Sequence, residues 1–270
     1  LYSLKYNPFC QEIPASALFV SPAVESFCWR IENQAAEGGF ALVTGDPGAG
    51  KSAALRILTE RLGALRDLTV GVLTRPQASV NDFYRELGDL FGVPLTPSNR
   101  WGGAKALRQK WLAHIEASLY RPVLIVDEAQ EMSSTLLCEL RLLSSAELDS
   151  RSILSVILCG DNRLVERLQE PELLPIASRI RSRLRLEPVG NEELRTCLCH
   201  VLKNAGNPRL ISPQVISALS EHAAGNYRTL MNMANDLLAT ALRKELDQID
   251  EKLFFEVFAM DPKPSARAKP

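Results

Sequence analysis

The chain is 270 residues long, with 46% hydrophobic and 23% charged residues, which fits one large α/β domain, or such a domain with a small cap. Its 31 Lys and Arg against 32 Asp and Glu leave a net charge of −1, so bulk charge implies no polyanion partner and excludes none, because patches matter more than totals. No run of 18 apolar residues exists to span a membrane, the start lacks a basic-plus-apolar secretory signal, and a beginning at Leu1 is what a trimmed chain would show.

The first 20 residues, on the strength of Pro8, Pro14 and Pro22, read as an extended lead-in rather than a helix. Phe40–Thr44 is a short apolar run that stops at Gly45. Ala53–Leu62 then sets Ala54, Leu55, Leu58 and Leu62 on one helical face. Thr69–Thr74 reads as a second strand, and Ser79–Phe91 and Ala104–Leu119 as helices. The latter carries Leu107, Trp111, Ile115 and Leu119 at intervals of four, so Trp111 is expected in the core. Val123–Val126 is a third strand, followed by a helix with Leu136, Leu137, Leu140 and Leu143 inward. Ile153–Cys159 and Arg183–Val189 are the fourth and fifth strands. Continuous apolar runs alternating with helices predict a parallel sheet covered on both faces. Beyond Pro188 only helices are expected: Asn191–Lys203, Ser212–Ala224, Tyr227–Leu246 and Glu251–Phe258. The predicted organisation is an α/β domain with its lead-in over 1–189, a helical domain over 190–260 and a Pro/Ala/Lys-rich, disordered tail over 261–270.

Six scattered cysteines point to reduced, buried thiols in a cytoplasmic protein. Cys197-Leu198-Cys199-His200 is their one cluster, and it lacks further ligands at metal-site spacing.

Gly45-Asp46-Pro47-Gly48-Ala49-Gly50-Lys51-Ser52 fits G-x-x-x-x-G-K-[ST] between a strand and an amphipathic helix. The glycines let backbone N–H groups turn toward phosphate oxygens, and the helix N-terminus adds partial positive charge. Lys51 is placed to reach β- and γ-phosphates, and Ser52 to offer its hydroxyl to Mg2+. The apolar strand Val123–Val126 ends in Asp127 and Glu128. Two adjacent carboxylates at the end of a buried strand are costly unless they serve a cation or a water. Asp127 suits the Mg2+ shell and Glu128 a general base. A strand candidate lies between the two motifs. That fits the P-loop branch in which another strand separates the motif strands and a catalytic Glu follows the Asp. It argues against a small-molecule kinase, and the absence of N-K-x-D argues against a GTPase.

These residues resemble an AAA+ ATPase, and more narrowly the group that joins ExeA-type secretion ATPases with the TniB- and TnsC-type ATPases of transposition. The resemblance runs from about Tyr6 to Met260. It implies ATP and Mg2+ as ligands, a P-loop core with a helical lid, and a homo-oligomer, ring or filament. Asn7-Pro8-Phe9 matches a lead-in that closes over the base. Asp127-Glu128-Ala129-Gln130 matches the acidic box. Cys159-Gly160-Asp161-Asn162 ends the fourth strand where the group has a polar sensor of the γ-phosphate: either Asp161 or Asn162 takes that slot, with helix capping the alternative for Asn162. Arg179, Arg181, Arg183 and Arg185 alternate where the group supplies an arginine finger to its neighbour. Arg179 and then Arg183 are the candidates, against a basic strand edge that discourages aggregation. Gly225-Asn226-Tyr227-Arg228 matches a lid motif whose arginine, here Arg228, touches nucleotide.

Arg100, Lys105, Arg108 and Lys110 gather on the helix before the acidic strand, near Trp101. They face either duplex DNA or only solvent. No motif for sequence-specific reading is present, so DNA contact would run through backbone charge. The expected function is an ATP-hydrolysing regulator that oligomerises with ATP, binds double-stranded DNA and recruits or activates a transposase, without inserting in a membrane. The alternative is an ExeA-like ATPase that assembles an envelope secretion machine.

Overall fold

The computed structural model describes residues 2–74, 76, 79–95, 100–147 and 150–258. The expected tail, 261–270, lies outside the described residues. The described residues form two compact units, one within 20–186 and the other made of 2–19 together with 187–258.

The first unit opens with α1 (Pro22–Gln34), a helix that begins just past the expected lead-in. Pro22 sits at its first position, where a missing N–H costs nothing, and Ser21 Oγ accepts from Val24 N at 3.4 Å. Val24, Phe27, Cys28 and Ile31 form its buried stripe. There follow β1 (Gly39–Gly45), α2 (Lys51–Gly63), β2 (Val70–Leu73), α3 (Val80–Phe91), α4 (Arg100–Ser118), β3 (Val123–Val126) and α5 (Ser134–Ser144). A small antiparallel hairpin, β4 (Ser145–Ala146) and β5 (Arg151–Ser152), leads to β6 (Ser155–Gly160). Two short helices, α6 (Asn162–Arg167) and α7 (Leu174–Ala177), precede β7 (Ile180–Leu186).

Five strands make one parallel sheet in the order β2-β3-β6-β1-β7. The β3 and β6 runs are buried at every position, as a sheet covered on both faces requires. A strand does separate the two motif strands, but it is β6. The Thr69–Thr74 run, which lies between the motifs in sequence, contributes the edge strand β2. The last strand starts earlier than expected. Ser182 and Leu184 point inward while Arg181, Arg183 and Arg185 point out. Leu119 leaves the expected inner stripe: it follows α4, at φ 66°, and is 76% exposed. Trp111 is in the core, against Phe91.

The second unit is α8 (Asn191–Ala205), α9 (Pro213–His222), α10 (Tyr227–Arg243) and α11 (Glu251–Phe258). The lead-in belongs here and not with the α/β domain. Phe9 and Ile13 are buried in the core of these helices, Lys5 N donates to Ala205 O, and Asn207 donates to Tyr2 O. Their apolar side chains need burial, and the helices supply it. Gly225, at φ +81°, lies so close to Pro188 and Val189 that an added Cβ would meet their atoms at 2.8 and 2.9 Å. No helix among the described residues is long and apolar enough to cross a membrane.

Candidate active site

The phosphate-loop sequence joins β1 to α2. Gly48 and Gly50 hold left-handed φ of 86° and 96°, a region that favours glycine, and Gly50 caps α2. Gly45 has a different reason: a Cβ there would sit 2.7 Å from Leu186 O on the neighbouring strand. Lys51 Nζ donates to the carbonyls of Gly45 (2.7 Å) and Asp46 (3.2 Å), so its ammonium lies over the mouth of the loop. Ala49 is buried and Ser52 is exposed, at the first turn of α2.

The acidic pair extends β3. Asp127 N donates to Leu73 O (2.9 Å), which carries the ladder one residue past the strand. Asp127 Oδ1 accepts from Glu128 N at 2.9 Å. Glu128 takes φ +50°, a costly conformation for a side chain with a Cβ, and exposes its carboxylate. On the adjacent strand, burial and the Asp127 carboxylate push the Cys159 thiol pKa well up, with Lys51 opposing and Glu128 adding to the rise. The ends of β1, β3 and β6 thus bring Lys51, Asp127 and Glu128 into one electrostatic neighbourhood.

The loop after β6 separates the two sensor candidates. Asp161 caps α6 by accepting from Arg163 N (2.9 Å). The hydrogen bond from the Arg163 side chain holds its carboxyl below the usual carboxylate range. Asn162 reaches the phosphate loop: its Nδ2 donates to Asp46 Oδ1 at 2.8 Å. The helix cap is therefore Asp161, not Asn162.

The remaining expected site residues are divided between the two units. Arg179 precedes β7 and donates to Pro175 O. Arg183 lies on the outward face of that edge strand, with its Nη2 3.5 Å from Ala177 O. Asn7 Oδ1 accepts from Phe9 N (3.0 Å) and Asn7 Nδ2 donates to Asn235 (2.9 Å), while Pro8 and Phe9 are buried in the helical unit. Arg228 is exposed on the first turn of α10, after an Asn226 cap. The basic group on α4 is divided. Arg100 pairs with Glu139, whose side chain is only 7% exposed and also accepts from Tyr84 Oη at 2.9 Å. Arg108 donates to Ser145 O at 2.6 Å. These two arginines serve the fold, because a buried carboxylate and a loop carbonyl need donors. Lys105 and Lys110 are exposed, with Lys105 Nζ 5.6 Å from the ring centroid of Trp101, itself 77% exposed.

The sequence reading passed over Arg163 and Arg167. Both reach from α6 to the turn after Glu128: Arg163 Nη2 to Glu131 (2.8 Å), and Arg167 Nη1 to the carbonyls of Gln130 (2.7 Å) and Met132 (2.6 Å). Their i, i+4 spacing is the available signal, but it has meaning only on a helix that the sequence offers merely through the capping alternative at Asn162.

This donor set suits a magnesium triphosphate. A hydroxyl and a carboxylate are hard oxygen ligands, and a glycine loop at a helix N-terminus accepts phosphate. The AAA domain family matches residues 34–168, half of the chain. General secretion pathway protein A of Aeromonas hydrophila is 30% identical over 203 residues, covering 74% of this chain and 36% of that protein. The chain thus spans about a third of the length of this curated relative. Among solved structures, the Aeropyrum pernix ORC2 protein in its ADP form is similar with a TM-score of 0.74 at 17% identity, over 95% of this chain and 73% of that one. The ORC1 protein of the same organism in complex with DNA gives 0.68 at 16%, over 93% and 68%. Domain III of the Thermotoga maritima replication initiation protein DnaA gives 0.61 at 17%, over 97% and 99%. At these identities the structural likeness concerns the fold.

Proposed function

The chain belongs to the AAA domain family, and from that premise we propose that it is an AAA+ ATPase that takes ATP with Mg2+ and hydrolyses it at the ends of β1, β3 and β6 to drive assembly on duplex DNA. Lys51 and the backbone N–H groups of residues 48–52 neutralise phosphate charge. Ser52 and Asp127 hold Mg2+, which supplies charge neutralisation across the phosphate oxygens when bound. Glu128 orients the attacking water and takes its proton. Asn162 senses the γ-phosphate, with Asp161 as its cap. Arg179, or else Arg183, acts on the site of a neighbouring copy in a homo-oligomer, and Asn7, Pro8, Phe9 and Arg228 bind the nucleotide. The observation that carries the reading is the Asn162–Asp46 contact, which links the β6 loop to the phosphate loop beside the acidic pair.

Lys105, with Trp101 exposed beside it, and Lys110 support contact with DNA through backbone charge, the resemblance adds a transposase as the protein partner, and the scattered cysteines favour a cytoplasmic location. The 30% identity to General secretion pathway protein A favours a second reading, an ATPase that assembles a secretion machine. Duplex binding measured with ATP, with ADP and without nucleotide, across a salt series, separates the two. A steep salt dependence found only with ATP is expected for the first. Indifference to DNA in every state would replace it with the second. For the oligomer, a mixture of inactive Arg179→Ala and Lys51→Ala chains is expected to regain turnover; no regain would remove the finger from Arg179.

A further inference from the structure

We propose that Gln130 is a positioning residue that aims the Glu128 carboxylate and ties it to the loop carrying Asn162; this rests on the reading of Glu128 as the general base. The Gln130 side chain is buried, with the residue 7% exposed, between the acidic turn and the end of β6. Its orientation is dictated by chemistry. The backbone N–H of Asp161 can only donate, so the carboxamide oxygen faces it, at 3.3 Å. That leaves Nε2 for Glu128 Oε2, an oxygen of an acceptor-only carboxylate, and the two are hydrogen-bonded. A flipped amide would lose both bonds. The slot is also cut to size. A Cβ on Gly160 would run into Gln130 Oε1 and come within 2.9 Å of Leu164 Cδ2.

The backbone of the turn has separate supports. Arg167 bonds the carbonyls of Gln130 and Met132, Arg163 pairs with Glu131, and Asp127 N continues the sheet ladder. The left-handed Glu128 is therefore held without the Gln130 side chain, whose polar atoms spend their bonds on Glu128 and Asp161. Asp161 precedes Asn162, which contacts Asp46 of the phosphate loop. One carboxamide thus spans from the base to the residue just before the one that reads the phosphates, and truncating it loosens the aim of Glu128 while the turn stays in place.

The test uses the full chain. Gln130→Ala is expected to lower kcat for ATP about ten- to hundredfold, as misplacement of a reacting group does, with KM and analogue binding near those of the unmodified protein. Gly160→Ala should produce the same split by displacing the carboxamide. Should Gln130→Ala fold poorly, Gln130→Met, similar in volume and without the donor, carries the test: a normal Tm with the same kcat loss is expected. Unchanged kcat in folded Gln130→Met would overturn the proposal. If Glu128→Gln turns over normally, the reading beneath it fails instead; if Glu128→Gln is inactive while Gln130→Met is active, only this inference falls.

Discussion

In the α/β unit, the strands β3 and β6 are buried end to end, so polar groups gather on the short turns where those strands stop. In the helical unit every helix has a solvent face, and Asn7 and Arg228 are exposed polar residues among many. The contrast teaches where a polar residue carries information. At the end of a buried parallel strand, a carboxylate is expensive and its position is set by ladder bonds such as Asp127 N to Leu73 O. On an amphipathic helix it costs little, and the side chain alone says little about use.

The comparison is broken most directly by Glu128→Gln. ATP turnover should fall about 10²–10⁴-fold while nucleotide stays bound, measured as phosphate release and analogue binding. Normal turnover would make the strand-end carboxylate no more telling than one on a helix. Lys51→Ala should weaken nucleotide binding about ten- to hundredfold, the worth of a charge-assisted contact, read by fluorescent-nucleotide titration. Arg100→Ala sharpens the contrast inside α4. It should destabilise the α/β unit by about 2 kcal/mol in denaturant unfolding, because Glu139 keeps its buried charge and loses its partner. Lys105→Ala should leave stability alone and lower the salt slope of DNA binding by about one. Gly225→Ala, forced into left-handed backbone against Pro188, should cost the helical unit about 1–2 kcal/mol, again by unfolding.

The loop 45–52 and the pair 127–128 were legible because residue type, spacing and flanking strands agree, and each choice has a local physical reason. The spatial order of strands was not. Chain order placed the Thr69–Thr74 run between the motif strands, whereas crossover connections put β2 at the edge and β6 in the gap. Pro22 was read as a breaker although Ser21 before it makes it a helix start. Arg100 and Arg108 were read as a basic face. Their true partners, Glu139 and Ser145 O, lie about forty residues on, but the signal was present: Glu139 falls on the same inner stripe as Leu136 and Leu143, and a carboxylate there demands a donor. The choice between Asp161 and Asn162 needed the start of α6, which decides which of the two caps it.

The central claim is that ATP and Mg2+ are held by the turn between β1 and α2 together with the end of β3. A structure determined with a non-hydrolysable ATP analogue and Mg2+ tests it most directly. The account predicts the triphosphate along the backbone of residues 45–52, with Lys51 on its outer phosphates and the metal between Ser52 and Asp127. An analogue bound away from that turn, or a metal held without Asp127, would contradict it.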